Sequence, residues 1–190
     1  PLLAADVPAG QPVVFIILAR ERGTILGGIV FEHYRASGCW LATYLAVRPQ
    51  ARHRGIASGL LAACVRRIER TGAPDWLLFA ETENPERIAN PAEREFARLR
   101  LRILTALNMR RLTIDYIQPA LAPDKHALDD LLLLAYAPQG AAAVDVPATR
   151  LAAFLDEFYR ALQQAGSADL ARMKAQLARS ERVPTVVLAP

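Results

Sequence analysis

YLAVRPQARHRGIASGLLAACVRRIERTG, residues 44–72, is the stretch from which the rest of the chain is read. Tyr44 to Val47 close an apolar, β-prone run, and Pro49 ends it because proline has no N–H for a sheet ladder. Gln50 to Ala57 is a basic loop whose only glycine is Gly55. The period then turns helical. Leu60, Leu61, Cys64, Val65 and Ile68 share one face, while Arg66, Arg67, Glu69 and Arg70 point away. Gly72 followed by Pro74 is a helix stop. A strand leading through a small-residue turn into a helix N-terminus is a ready anion site. The first-turn amides have no internal partner, the macrodipole is positive there, and a residue without a side chain lets phosphate oxygens reach the backbone. Two other phosphate loops are excluded, since neither Gly-Lys-Ser/Thr nor G-x-G-x-x-G occurs.

Upstream, residues 1–11 are Pro- and Ala-rich and read as surface chain. Val13 to Arg20 and Thr24 to Tyr34 read as strands joined by Glu21-Arg22-Gly23, and Gly27-Gly28 implies a bulge or a close backbone approach. Cys39 to Val47 completes an antiparallel meander. Downstream, Asp75 to Glu81 reads as a buried strand with Glu83 just beyond it. Asn90-Pro91-Ala92-Glu93 starts a helix, with Asn as N-cap, Pro first and Glu third. Ala92, Phe96, Leu99, Ile103 and Leu107 form its apolar stripe, and Asn108 stops it in a left-handed turn. Arg110 to Gln118 and Leu128 to Tyr136 read as further strands, with a proline-containing loop over 119–125 between them. After a linker at 138–143, Leu151, Phe154, Leu155, Phe158, Tyr159 and Leu162 keep a helical period that Gly166 closes. Ser167 caps another helix through Leu177, and Val183 to Leu188 reads as a terminal strand.

The chain of 190 residues suits one domain with an appendage, and 53% hydrophobic residues argue against disorder. No apolar run approaches a membrane span and no signal peptide is evident, so a cytoplasmic setting is expected. Cys39 and Cys64 form no close-spaced pair and the three histidines stand at no zinc-ligand spacing, so no metal is expected and both thiols read as buried and reduced. A net charge of +4, 23 basic against 19 acidic residues, leaves nucleic-acid binding open as a class. Clustering favours something smaller. Arg48, Arg52, His53 and Arg54 crowd the proposed phosphate loop, without the aromatic interleaving that single strands stack on. Arg66, Arg67 and Arg70 read as a solvated surface.

Arg52-His53-Arg54-Gly55-Ile56-Ala57 resembles the Arg/Gln-x-x-Gly-x-Gly/Ala signature of the GNAT (GCN5-related) N-acetyltransferase superfamily, and it follows a strand and precedes an amphipathic helix as in that family. Ser37-Gly38-Cys39, Thr43-Tyr44-Leu45, Tyr116-Ile117-Gln118-Pro119 and Asp129-Asp130-Leu131-Leu132 are similar to a bacterial subgroup of it, and the likeness spans residues 13–137. It implies an α+β fold, a mixed and mostly antiparallel central sheet flanked by helices. The family usually has a strand and two helices ahead of the meander, for which residues 1–11 are too short, so these elements are expected to be missing or truncated here, either absent from the protein or preceding Pro1. Residues 1–137 would be the acyl-CoA-binding core and 138–190 a C-terminal helical extension, packed on the core or in a homodimer contact.

The resemblance implies transfer of an acetyl or related acyl group from acetyl-CoA to a small-molecule or peptide amine. In the family the pantetheine arm lies along the strand that here ends Leu45-Ala46-Val47. The pyrophosphate sits on the amides from His53 to Ala57, with Arg52 opening the motif. An amide near Ala46 or Val47 would polarise the thioester carbonyl. An amine protonated at pH 7 must lose a proton to attack, so a base is needed. Glu81 and Glu83, at the end of the strand beside the cofactor strand, are the candidates, against the plainer reading of solvated strand-end residues. Tyr44 either lines the acceptor cleft or is a core aromatic. One departure stands out: Leu104 occupies the position where relatives often carry the tyrosine that protonates the leaving thiolate, which leaves water or Tyr116 as the source. The competing readings are a non-catalytic acyl-CoA sensor and a basic nucleic-acid-binding module, the latter disfavoured. No membrane partner is expected.

Overall fold

Residues 7–73, 75–122, 124–138, 141 and 143–187 are described by the structure, a computed structural model. Pro74, parts of the 1–11 and 138–143 segments, Pro123 and Leu188 lie outside the described residues. The chain divides into two compact units, Pro1–Leu78 and Phe79–Pro190.

In the first unit, β1 (Val13–Glu21), β2 (Thr24–Tyr34) and β3 (Cys39–Val47) form the expected antiparallel meander. Helix α1 (Ile56–Glu69) lies across it and buries Leu60, Leu61, Cys64, Val65 and Ile68, the face that the period predicts. Each of its aliphatic side chains is worth roughly 1.5–3 kcal/mol over exposure. Phe15, Phe31 and Trp40 pack ring to ring with centroids 5.3 to 5.8 Å apart. Arg67 is not simply solvated, because its guanidinium lies 4.9 Å above the Phe15 ring.

Two register shifts shape the end of the meander. Leu26 is the extra residue opposite Ala19 and Arg20, directly before Gly27-Gly28. Its carbonyl accepts the Arg48 N–H at 2.8 Å, which holds the chain as it leaves β3. The glycines answer a close approach: a Cβ on Gly27 would stand 2.6 Å from the Ala46 carbonyl oxygen. The second shift makes Thr43 the extra residue of β3, opposite Val30 and Phe31, with its hydroxyl donating to the Val30 carbonyl at 3.2 Å. Thr43 is an ordinary strand residue and gives no sequence signal for this.

The second unit holds β4 (Leu77–Glu83, from Phe79 on), α2 (Pro91–Ala106), β5 (Met109–Leu112), β6 (Leu131–Tyr136), β7 (Val146–Pro147), α3 (Ala148–Ala161), α4 (Ala168–Leu177), β8 (Arg182–Val183) and β9 (Thr185–Val187). Four strands run antiparallel in the order β4–β6–β5–β9, while β7 and β8 form a separate ladder. Helices with mostly antiparallel sheet are the α+β class expected. Among the described residues no helix is long and apolar enough to cross a membrane.

Several boundaries differ from the sequence reading. β4 runs two residues later than Asp75 to Glu81, so it includes Glu83. The strand expected over Arg110 to Gln118 ends at Leu112, because the Thr113 N–H turns to the Pro184 carbonyl and the Tyr116 N–H folds back onto Ile114. Leu128 makes only an isolated bridge with Gln118, and β6 begins at Leu131. Pro184 splits the terminal strand, giving β8 to β7 and β9 to β5. Gln163 in a left-handed turn (φ 60°), not Gly166, closes α3. Asn90 and Ser167 cap α2 and α4 as expected, and Asn108 (φ 62°) ends the α2 segment.

The apolar stripe of α2 is the largest correction. Phe96, Leu99 and Ile103 face outward, and Ala97 and Leu101 face in. The Arg94 side chain donates to the Ile88 and Ala89 carbonyls just ahead of the helix, and Arg100 bonds to Glu83. These contacts set the rotation that the periodicity leaves open.

Candidate functional site

After β3, Pro49–Ala51 make one turn of 3-10 helix, and Ala51 is buried beneath the loop as its anchor. Arg52 is extended, His53 is left-handed (φ 62°), and Gly55 is left-handed again (φ 72°) as the N-cap of α1. No side chain caps this helix. The Gly59 N–H is the first to meet a helical carbonyl, that of Gly55 at 2.9 Å. Among the described residues the amides of His53, Arg54, Gly55, Ile56 and Ala57 have no protein acceptor. A Cβ built on Gly55 meets nothing within 4 Å, so the loop is open on that side. Residues 52–55 are exposed, and Ile56 and Ala57 are half-buried.

The cations around this cradle are not equivalent. Arg54 donates to the Glu21 carboxylate at 2.7 Å, so its charge is shared with β1, and its amide is what it offers the loop. Arg48 and Arg52 form no ion pair among the described residues. Along β3, Leu45 and Val47 are half-buried and Ala46 is exposed. Tyr44 is 69% exposed, which removes its reading as a core aromatic.

In the second unit, β4 carries Glu81 half-buried and Glu83 exposed, with buried Thr82 between them. The two carboxylates differ in their partners. The Tyr116 hydroxyl donates to Glu81 Oε1, whereas Glu83 Oε2 accepts from the Arg100 guanidinium. Tyr116 is itself buried in the folded 113–120 segment. Side chains from the C-terminal helices hold that segment, a role for which the sequence carries no local signal. The Tyr159 hydroxyl donates to the Ile117 carbonyl at 2.8 Å, and Gln164 Nε2 donates to that of Ala120. The Gln176 side chain accepts the Asp115 N–H, and Met173 Sδ faces the Ile117 N–H. Burial first, then the Asp169 and Glu81 carboxylates, push the Tyr159 hydroxyl above its usual range, so it stays a donor. Leu104 is half-buried in α2. Both cysteines are buried, and burial pushes the Cys64 thiol up to about 12. Among the described residues no three metal-ligating side chains come together.

Residues 4–92 match the model of the acetyltransferase (GNAT) family. Over those residues, a little under half of the chain, the sequence is similar to the GNAT acetyltransferases. The matched family is one of acetyltransferases, with acetyl-CoA as its acyl donor. Several solved structures are similar to the chain at low identity. One GNAT-family protein, from Desulfovibrio desulfuricans, is 22% identical over 64% of this chain and 67% of its own, with a TM-score of 0.45. Another, from Bacteroides thetaiotaomicron, is 16% identical over 67% and 64%, with a TM-score of 0.49. An aminoglycoside 6′-N-acetyltransferase complexed with coenzyme A is 12% identical over 67% and 76%, with a TM-score of 0.45. The chain thus spans about two thirds of the length of the first two. No curated protein sequence matches it.

Proposed function

We propose that this protein moves an acetyl or similar acyl group from acyl-CoA to the amine of a small molecule or peptide, by direct attack in a ternary complex, as the matched family's members do. The observation that carries the reading is the run of five amides from His53 to Ala57 without protein acceptors, opened by left-handed Gly55. Such a run at a helix N-terminus offers a diphosphate several charge-assisted hydrogen bonds and the positive end of the dipole. Arg52 and Arg48 add screening charge, and Leu45 to Val47 supply main-chain groups for the pantetheine arm. A backbone N–H near Ala46 or Val47 then stabilises the tetrahedral oxyanion, a contribution on the order of 3 kcal/mol.

Glu81 is the preferred base. It is half-buried and accepts from the Tyr116 hydroxyl, while Glu83 is exposed and already engaged by the Arg100 guanidinium. Tyr44, exposed on β3, is available to an acceptor substrate. The test is thiol release from acetyl-CoA across a panel of amines, run beside calorimetric titration of coenzyme A. Acceptor-dependent release supports the reading. Intact binding with no release across the panel would instead support a non-catalytic acyl-CoA binder, the reading that Leu104 favours.

A further inference from the structure

Helix α2 carries two apolar stripes. Ala97 and Leu101 face the interior of the second unit, and Phe96, Leu99 and Ile103 stand 67%, 45% and 48% exposed on the opposite side. Ala92, Phe96, Leu99, Ile103 and Ala106 are spaced alternately by four and three residues, the spacing of a two-stranded coiled-coil seam. A helix facing only water has no use for such a seam.

We propose that α2 is a self-association surface whose occupant is the α2 helix of a second copy of this chain, lying antiparallel across a twofold axis. The charges beside the seam choose both partner and direction. Acidic Glu93 and Glu95 flank its N-terminal half, one on each side, and basic Arg100 and Arg102 flank its C-terminal half in the same way. A parallel pair sets only Glu95 against Arg100 of the second copy and leaves Glu93 and Arg102 without partners across the seam. In an antiparallel pair, Phe96 lies against Leu99 of the second copy and Ala92 against its Ile103. The same register brings Glu95 to the second copy's Arg102 and Glu93 to its Arg100, each contact occurring twice by symmetry. The two flanking pairs and the apolar layers thus agree on one register. It overlaps nearly the full helix, roughly 24 Å for its 16 residues.

The shape of the face agrees. Ala92, Glu95, Phe96, Leu99 and Arg102 line a shallow recess of about 220 Å³. Four of them, Ala92, Glu95, Phe96 and Leu99, are the set that forms a hole for one knob of a facing helix, and the register brings Leu99 of the second copy over it. Glu95 now pairs with Arg98 and Arg100 with Glu83, all on exposed side chains that can exchange partners. Among the described residues Arg102 has no ion pair. The pairing does not depend on the chemistry at the phosphate loop.

Sedimentation equilibrium of the whole chain, up to its highest soluble concentration, tests this. Wild type is expected to show a concentration-dependent dimer. Leu99→Glu, which sets two carboxylates in the seam, is expected to be monomeric, and Phe96→Ser to weaken association without adding charge. Both positions are surface-exposed, so circular dichroism should match wild type, and melting should match it at concentrations too low for association. Glu95→Arg or Arg102→Glu alone creates two like-charge contacts and should weaken association about tenfold or more, while the double reversal restores it. A monomeric wild type, an unchanged dimer in Leu99→Glu, or a double reversal that fails to restore association would each overturn the proposal.

Discussion

Gly55 separates backbone strain from ligand exclusion, because the structure gives each a distinct signature. Its φ of 72° is left-handed, which costs any residue with a Cβ about 1–2 kcal/mol. A Cβ there meets no protein atom within 4 Å, so a larger side chain adds strain but no clash. Gly55→Ala and Gly55→Leu should therefore lose similar stability, on the order of 1 kcal/mol, or roughly 2–4 °C in Tm for a chain of this size. Gly55→Asn should lose less, since asparagine tolerates this conformation. Binding should follow a different order. The open side of Gly55 is where the diphosphate would approach, and losing one amide-to-phosphate bond costs about 1.5–3 kcal/mol, a tenfold to hundredfold loss of affinity. Leu should lose most, Asn next and Ala least. Calorimetric titration with coenzyme A beside thermal unfolding of each variant reads both quantities. Affinity that is unchanged in Gly55→Leu, or that simply tracks Tm across the three variants, refutes the assignment of this loop.

Three further outcomes are expected. Tyr116→Phe removes the hydroxyl that meets Glu81 and should change kcat severalfold with the KM for acetyl-CoA unchanged; an unaltered kcat would detach Tyr116 from the chemistry. Cys64 holds its proton up to about pH 12 when folded, against roughly 8.5 when unfolded. Its contribution to stability is therefore complete below pH 8.5 and is lost as pH rises toward 12, at up to about 1.4 kcal/mol per pH unit. Wild type should lose stability through that window more steeply than Cys64→Ala in urea titrations, and parallel curves would contradict this. Tyr159→Phe strands the Ile117 carbonyl and should cost about 1–3 kcal/mol by urea unfolding; if amide exchange over 115–120 does not quicken as well, that hydroxyl is not what holds the segment.

The parts legible in the sequence are those fixed by local punctuation. The α1 face follows from one clean helical period between a loop glycine and a glycine stop, and the N-caps of α2 and α4 follow from Asn90 and Ser167 with their acidic first turns. The unpaired amides are legible for the same reason, since a glycine entry into a helix leaves nothing local to satisfy them. The outward seam of α2 was visible as an apolar stripe but not as an outward one. Two stripes coexist on that helix, and hydropathy favours the wrong one. The rotation is decided by Arg94 reaching back to two carbonyls, a constraint outside any periodicity.

The segment 113–120 shows why the candidate base was harder to read than the phosphate loop. Ile114, Tyr116 and Ile117 look like a strand because they are apolar, β-branched or aromatic at the right density. They are buried without a ladder, while Gln176 takes the Asp115 N–H and Met173 and Tyr159 meet the Ile117 N–H and carbonyl, from helices 42 to 61 residues further along. That non-local support turns Tyr116 inward so that its hydroxyl reaches Glu81, while Glu83, two residues on, is left to Arg100. The two glutamates are nearly indistinguishable in sequence and unlike in the folded unit. Arg100 of α2 marks Glu83, and the C-terminal helices mark Glu81 through Tyr116, so removing α3 and α4 should release Glu81 from Tyr116 before it disturbs the phosphate loop, whose geometry is complete within residues 13–69.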